Sequence, residues 1–197
     1  SFPTRSKIPF AEYADEVFSE AQKLTGGEPL YGVGVGAPNA NSAIGEIVEP
    51  VNLGWHSAPL VKDFKARFKT DIFLENDANV AALGEKVWGA GQGSDHFIVV
   101  TLGTGIGTGI ISHGQLISGP TGMAGEGGHI TIYPGGRPCN CGGAGHLECY
   151  ASVRGLKLHA QEQTGLDLKF AEISKSFKAK DEKIIKAVRL AANDLGL

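Results

Sequence analysis

The sequence predicts an α/β protein in which a sheet containing parallel strands is layered with helices. Three observations predict it. Over the first half of the chain, apolar residues at period 2 alternate with apolar residues at period 3.6, strand then helix. From about Leu147 to the end the pattern is helical. Glycine supplies 29 of 197 residues, about twice the usual ~7%. The glycines cluster at 32–36, 103–109, 114–128 and 135–145, which marks tight turns or backbone brought close to a ligand, not low complexity.

The elements follow in order. Phe10, Tyr13, Ala14, Val17, Phe18, Ala21 and Leu24 keep helical spacing, so a helix is predicted up to Gly26-Gly27. YGVGVG (31–36) reads as a buried strand, and a loop from GAPNA to about Trp55 follows it. Pro59 opens a short helix carrying Leu60, Phe64 and Phe68. DIFLE (71–75) is a strand, succeeded at once by a helix from about Ala78 to Trp88. Strands are predicted at 96–103, 109–112 and 115–118, and HITIY (129–133) alternates like an edge strand. Helices are expected at 147–163, 168–175 and 181–195.

Composition narrows the partners. Hydrophobic residues make up 42% and charged residues 20%, a balance that builds a core and a solvated surface. A net charge of −3 gives no reason to expect nucleic acid or an anionic membrane. No apolar run approaches the roughly 20 residues of a membrane helix, and no signal peptide is visible. Cys139, Cys141 and Cys149 are odd in number and close together. That speaks for metal binding in a reducing compartment, hence a cytoplasmic location, over a secreted disulfide framework.

Four stretches can carry chemistry. In LENDANVAALGE (74–85), Asn76 and Asp77 leave a strand and begin a helix. Ligands of α/β sheets gather beyond the carboxyl ends of strands, and a helix N-terminus favours an ionised Asp there. Such a carboxylate can take a proton from a hydroxyl; equally, either residue can merely cap the helix. TLGTGIGTG (101–109) can cradle phosphate oxygens with backbone N–H groups and threonine hydroxyls, or be a glycine-rich hairpin. It lacks the lysine of a P-loop, and the segment after it is strand-like, unlike a dinucleotide fingerprint. His129, Cys139, Cys141 and His146 have spacing that suits a tetrahedral zinc with no open position, hence a structural one. Cys149 is an alternative fourth ligand, and reduced, unliganded cysteines are the plainer alternative. Glu126 and Glu148 flank this cluster, and a metal staple would bring them together.

With GMAGEGGH and CNCGGAGHLE, these motifs resemble the ROK family of sugar kinases and sugar-responsive repressors, over about Tyr31 to Ser152. The resemblance implies the actin-like, ribonuclease-H-like ATPase fold, incomplete here. Residues 1–76 would be part of the smaller N-terminal α/β domain. Residues 77–197 would be the larger sugar- and zinc-binding domain, truncated at its C-terminal end. It implies Asp77 as catalytic base, and Asn76, Glu126, His129 and Glu148 as sugar contacts, with the Gly36–Ala37 backbone against the sugar. Thr101, Gly103, Thr104, Gly105 and Gly107 would form a phosphate-binding segment. The cofactors implied are ATP, Mg²⁺ and a structural Zn²⁺; the partner is a hexose, and a homodimer is expected. His129 would bind zinc with one ring nitrogen and face the sugar with the other.

Two departures stand out. His146 occupies the place of a family cysteine, so two His and two Cys are expected to hold the zinc. The only Asp-x-Gly is Asp194-Leu195-Gly196, at the wrong end for the kinases' opening phosphate loop. An internal piece of a longer protein is therefore expected, binding ATP poorly or not at all by itself. A hexose kinase of the glucokinase type leads the readings. A sugar-sensing repressor with its DNA-binding part outside this chain is the rival, and a zinc-stapled interaction domain is a third.

Overall fold

The computed structural model describes residues 3–5, 7–49 and 54–196. They pack as two units, one of residues 1–97 with 110–124 and the other of residues 98–109 with 125–197.

The first unit begins with α1 (Phe10–Thr25), which lays Phe10 and Ala14 into the core and ends at Gly26. A parallel pair follows in which β1 (Val33–Ala37) lies beside β5 (Ile72–Asn76), with Gly36 opposite Glu75 and Ala37 opposite Asn76. Along β5, Ile72 and Leu74 are buried while Phe73 is 68% exposed, the period-2 signature of a strand covered on one face. Between β1 and β5 the chain builds β2 (Ala40–Asn41), β3 (Glu46–Val48), β4 (Ser57–Ala58) and α2 (Leu60–Phe68). The three short strands form an antiparallel sheet in that order, where the sequence predicts only loop. Two- and three-residue strands hold too few alternations to be seen. The core gathers Phe10, Ile47, Leu60, Phe64 and Leu74, and Trp55 meets Phe10 edge-on at 5.1 Å. Helix α3 (Asp77–Trp88) leaves β5 without an intervening loop and packs on β1 and β5.

β6 (Phe97–Leu102), β7 (Ile106–Ser112) and β8 (Gln115–Leu116) are sheet neighbours in that order. The β6–β7 turn belongs to the second unit, and the tight β7–β8 turn to the first. The second unit continues through residues 125–147, which contain one 3₁₀ turn (Gly127–His129). The edge strand predicted for 129–133 does not form. Ile132 and Tyr133 N–H groups both bond Gly145 O, leaving one isolated bridge, Thr131 to His146.

The helix predicted from 147 to 163 is broken in two, α4 (Glu148–Ala151) and α5 (Val153–Thr164). At the break Ser152 is extended and 1% exposed, and its Oγ accepts from Gly155 N at 3.2 Å. An N-cap of this kind restarts a helix in a new direction. Helices α6 (Phe170–Lys178) and α7 (Glu182–Leu195) close on α5 around Ala160, Ile173, Ile184 and Ala187.

Candidate functional site

In the first unit the sequence-predicted residues collect at the carboxyl ends of β1 and β5. Asn76 caps α3: its Oδ1 accepts from Ala78 N at 2.8 Å and Asn79 N at 3.3 Å. Its oxygen is thereby committed, and the Asn76 amide NH₂ is the part left to meet a ligand. Asp77, the first residue of the helix, is exposed, with Oδ1 2.9 Å from Ala78 N. Below it Glu75 Oε1 accepts from Asn76 N at 2.8 Å and from Asn79 Nδ2 at 3.0 Å, a brace that sequence reasoning missed. Gly36 stands close beside this corner: a Cβ there would lie 3.3 Å from Val80 Cγ2, which would have to give by a few tenths of an ångström, and 3.7 Å from Asp77 Cα. Gly36, Ala37, Asn76 and Asp77 thus line adjacent strand ends, the place where α/β sheets bind ligands.

In the second unit the glycine-rich stretch is a hairpin turn. Gly103 N donates to Gly105 O at 3.0 Å, and Thr101 Oγ1 to Gly107 O at 3.3 Å, so these two groups hold the turn itself. Thr104 at the tip lines a hollow of about 320 Å³ with Val153, Arg154, Lys157, Gln161 and Asp167. Arg154, Lys157 and Gln161 were not predicted. Their i, i+3, i+7 spacing on α5 was the available signal. Gly105 is pressed by Glu148, whose Oε2 lies 2.7 Å from the position a Cβ would take. Thr108, the third threonine of this stretch, fastens the next segment. Its hydroxyl bonds Gly125 O and accepts from Gly127 N at 2.9 Å, which fixes Glu126 between them.

The predicted metal residues come together. Donor atoms of His129, Cys139, Cys141 and His146 all lie within 4.8 Å of one another. Cys139 Sγ is 3.8 Å from His129 Nδ1, and Cys141 Sγ is 3.3 Å from His146 Nδ1. With Zn–S of about 2.3 Å and Zn–N of about 2.0–2.1 Å, tetrahedral zinc would set sulfur and nitrogen about 3.6 Å apart. The two measured spacings fall on either side of that value, so the donor set fits the ion. Cys149 falls in a different group, with Cys139 and Glu148, and its thiol faces Pro138 O at 3.6 Å. Without a cation the Cys139 thiol is pushed up to about 12, chiefly by burial. The Cys141 backbone N–H opposes this, and Glu148, which accepts its S–H at 3.0 Å, adds to it. A bound dication would reverse that balance, since a coordinating thiol gives up its proton.

The same contacts join the predicted sugar residues. His129 turns Nδ1 to Cys139 and Nε2 toward Glu126, 3.8 Å from Oε2. Glu148 touches Cys139 from the other side. Glu126, His129 and Glu148 are therefore linked through the metal set, each only partly covered or exposed. Asp77 belongs to the first unit and these three to the second.

The ROK family model matches residues 16–197. The chain belongs to the ROK family. Its fold is accordingly the actin-like ATPase fold of the family's structures. A ROK family glucokinase from Streptomyces griseus, solved with glucose and AMPPNP, superposes with a TM-score of 0.81 at 31% identity. That match covers 99% of this chain and 67% of the other. A glucokinase from Halalkalibacterium halodurans is 47% identical over 135 residues, 68% of this chain and 41% of the relative. A relative of a second kind is similar too: the xylose repressor of Bacillus subtilis is 39% identical over 127 residues, 64% of this chain and 33% of the repressor. The chain thus spans less than half the length of either curated relative. Among the described residues no helix is long and apolar enough to cross a membrane.

Proposed function

We propose that the protein to which this chain belongs is an ATP-dependent hexose kinase of the glucokinase type. The observation that carries the proposal is Asp77: an exposed carboxylate at the head of α3, at the carboxyl end of a parallel strand pair, with the side-chain-free Gly36 beside it. Similarity to a glucokinase solved with glucose and AMPPNP supports the same reading.

In this reading Asp77 orients the attacking sugar hydroxyl and accepts its proton late in the transfer. That suits a reaction governed by alignment and charge neutralisation more than by covalent catalysis. Asn76 offers its NH₂ to a neighbouring hydroxyl, and Gly36 and Ala37 present backbone. Glu126, Glu148 and the Nε2 of His129 receive the other hydroxyls. His129, Cys139, Cys141 and His146 hold zinc, whose part is structural: it fixes the His129 ring and the loop that carries the two glutamates. Thr104 and the Arg154–Lys157 face of α5 meet the nucleotide, with Mg²⁺ held by substrate phosphates and water. The boundary between a smaller domain, 1–76, and a sugar- and zinc-binding domain, 77–197, is part of this proposal.

A repressor is the second reading, favoured by the 39% identity to the xylose repressor. The deciding experiment is ATP-dependent phosphorylation of a hexose panel by the full-length protein. Turnover of at least one hexose is expected. No turnover with any of them, together with sugar-dependent release from DNA, would replace the kinase with the repressor.

A further inference from the structure

The apolar stripe of α7 contains one residue of the wrong kind. Ile184, Ala187 and Ala191 face the core, and Asp194, continuing the same stripe, is only 6% exposed. A carboxylate in that position is costly unless it is fully partnered. Asp194 is partnered on both oxygens: Tyr133 donates to Oδ1 at 2.7 Å, and His159 Nε2 lies 3.0 Å from Oδ2. Accepting the phenol proton, Asp194 raises the Tyr133 hydroxyl above its ordinary range.

His159, itself 6% exposed, passes the connection on, with Nδ1 3.2 Å from Arg137 Nη2. A guanidinium can only donate. His159 therefore accepts at Nδ1, carries its proton on Nε2, and gives that hydrogen bond to Asp194. Arg137 is held from every side. It donates to Glu162 Oε1 at 2.6 Å and to Cys149 O at 3.0 Å, and lies 4.6 Å over the Tyr150 ring. Its own N–H donates to Tyr150 Oη at 2.6 Å.

The circuit closes on the metal loop. Tyr133 and Arg137 bracket the turn Tyr-Pro-Gly-Gly-Arg, which separates His129 from Cys139 and Cys141. From Tyr133 the connection runs through Asp194 and His159 to Arg137, and the chain itself returns it to Tyr133. Both ends of the turn are thus fastened to α5 and α7 by hydrogen bonds that need no ion. We infer that His159 and Asp194 are positioning residues for the metal set, holding its two halves at ligating distance before the metal arrives. The inference rests on the proposal that these four donors hold zinc. A fully satisfied buried polar network is rigid, and ordering donors in advance removes part of the cost of binding.

The test is cobalt(II) titration of the reduced chain, read by the visible absorption of a four-coordinate thiolate–imidazole site. Zinc affinity follows by competition with a chelator, and thermal melts are run on every metal-free form. His159→Ala is expected to weaken zinc by about 10–100-fold, as removal of outer-shell supports does, and to change the cobalt spectrum. His159→Gln should restore affinity to within about threefold, because its amide can accept from Arg137 and donate to Asp194 without charge. Tyr133→Phe removes one hydrogen bond and should cost about fivefold; it decides the matter if His159→Ala does not fold. A folded His159→Ala or Tyr133→Phe with unaltered zinc affinity and cobalt spectrum, only its metal-free melt lowered, overturns the inference. No four-coordinate cobalt spectrum in the unaltered chain overturns the zinc proposal itself, and this inference with it.

Discussion

Two regions of this molecule gather polar side chains at their surface, and they are built in opposite ways. The strand-end corner around Asp77 is made by regular structure: parallel β1 and β5, a capped helix and one glycine against which Val80 packs closely. The loop from Gly125 to Leu147 has one 3₁₀ turn and two isolated bridges. Its backbone closes through scattered turn and loop bonds such as Cys139 N to Gly143 O and Gly145 N to Arg137 O, and side chains tie it to the rest of its unit: Thr108, Arg137 and Arg154. The corner positions groups by backbone hydrogen bonds shared among many residues, so single changes there alter chemistry more than shape. The loop is tied to its surroundings by a few side chains, so single changes at those ties alter shape first.

That contrast can be broken at several points. Asp77→Asn in the full-length protein should lower phosphorylation turnover by about 10²–10⁴-fold, the usual worth of a positioned base, and leave hexose affinity nearly unchanged. Steady-state kinetics with a sugar titration checks this, and retained turnover would remove Asp77 from its role. Zinc removal by a chelator should act on stability. A ligand held at 100 times its Kd contributes about 2.7 kcal/mol, and each kcal/mol shifts the melt of a chain this size by about 2–4 °C. Scanning calorimetry with and without zinc measures it; no shift would mean that the ion does not bind the folded chain. Gly105→Ala tests the join between hairpin and loop. The new methyl must displace the Glu148 carboxylate, so hexose affinity should fall about tenfold, the worth of one hydrogen bond to a charged group. Thermal stability should scarcely move. Asn76→Ala is the mildest test of the corner, costing about 1 kcal/mol through loss of the cap, read as a lower midpoint in urea.

The same contrast explains what the sequence disclosed. Helices α1, α2 and α3 and strands β1 and β5 were legible because each repeats a period long enough to register. The short strands β2, β3 and β4 were not, since their pairing is set by contacts across the fold. In the loop, alternation misled. Ile130 is 61% exposed, and Ile132 packs on Cys139, Cys149 and Tyr150, so apolar residues at period 2 serve a side-chain cluster without any strand. The clustering of His129, Cys139, Cys141 and His146 was readable from ligand chemistry and spacing. Their supports were not: nothing in the spacing of Tyr133, Arg137, His159 and Asp194 announces a circuit closed through two helices.

The corner at Ser152 has a mechanical consequence. Four residues before it stands Glu148; immediately after it Val153 N donates to Gly103 O at 2.9 Å. The carboxylate that meets the Cys139 thiol and the backbone that holds the hairpin turn are thus two arms of one short crank, pivoted on a buried hydroxyl. Such a linkage has no slack to absorb a push: force applied at either arm arrives at the other.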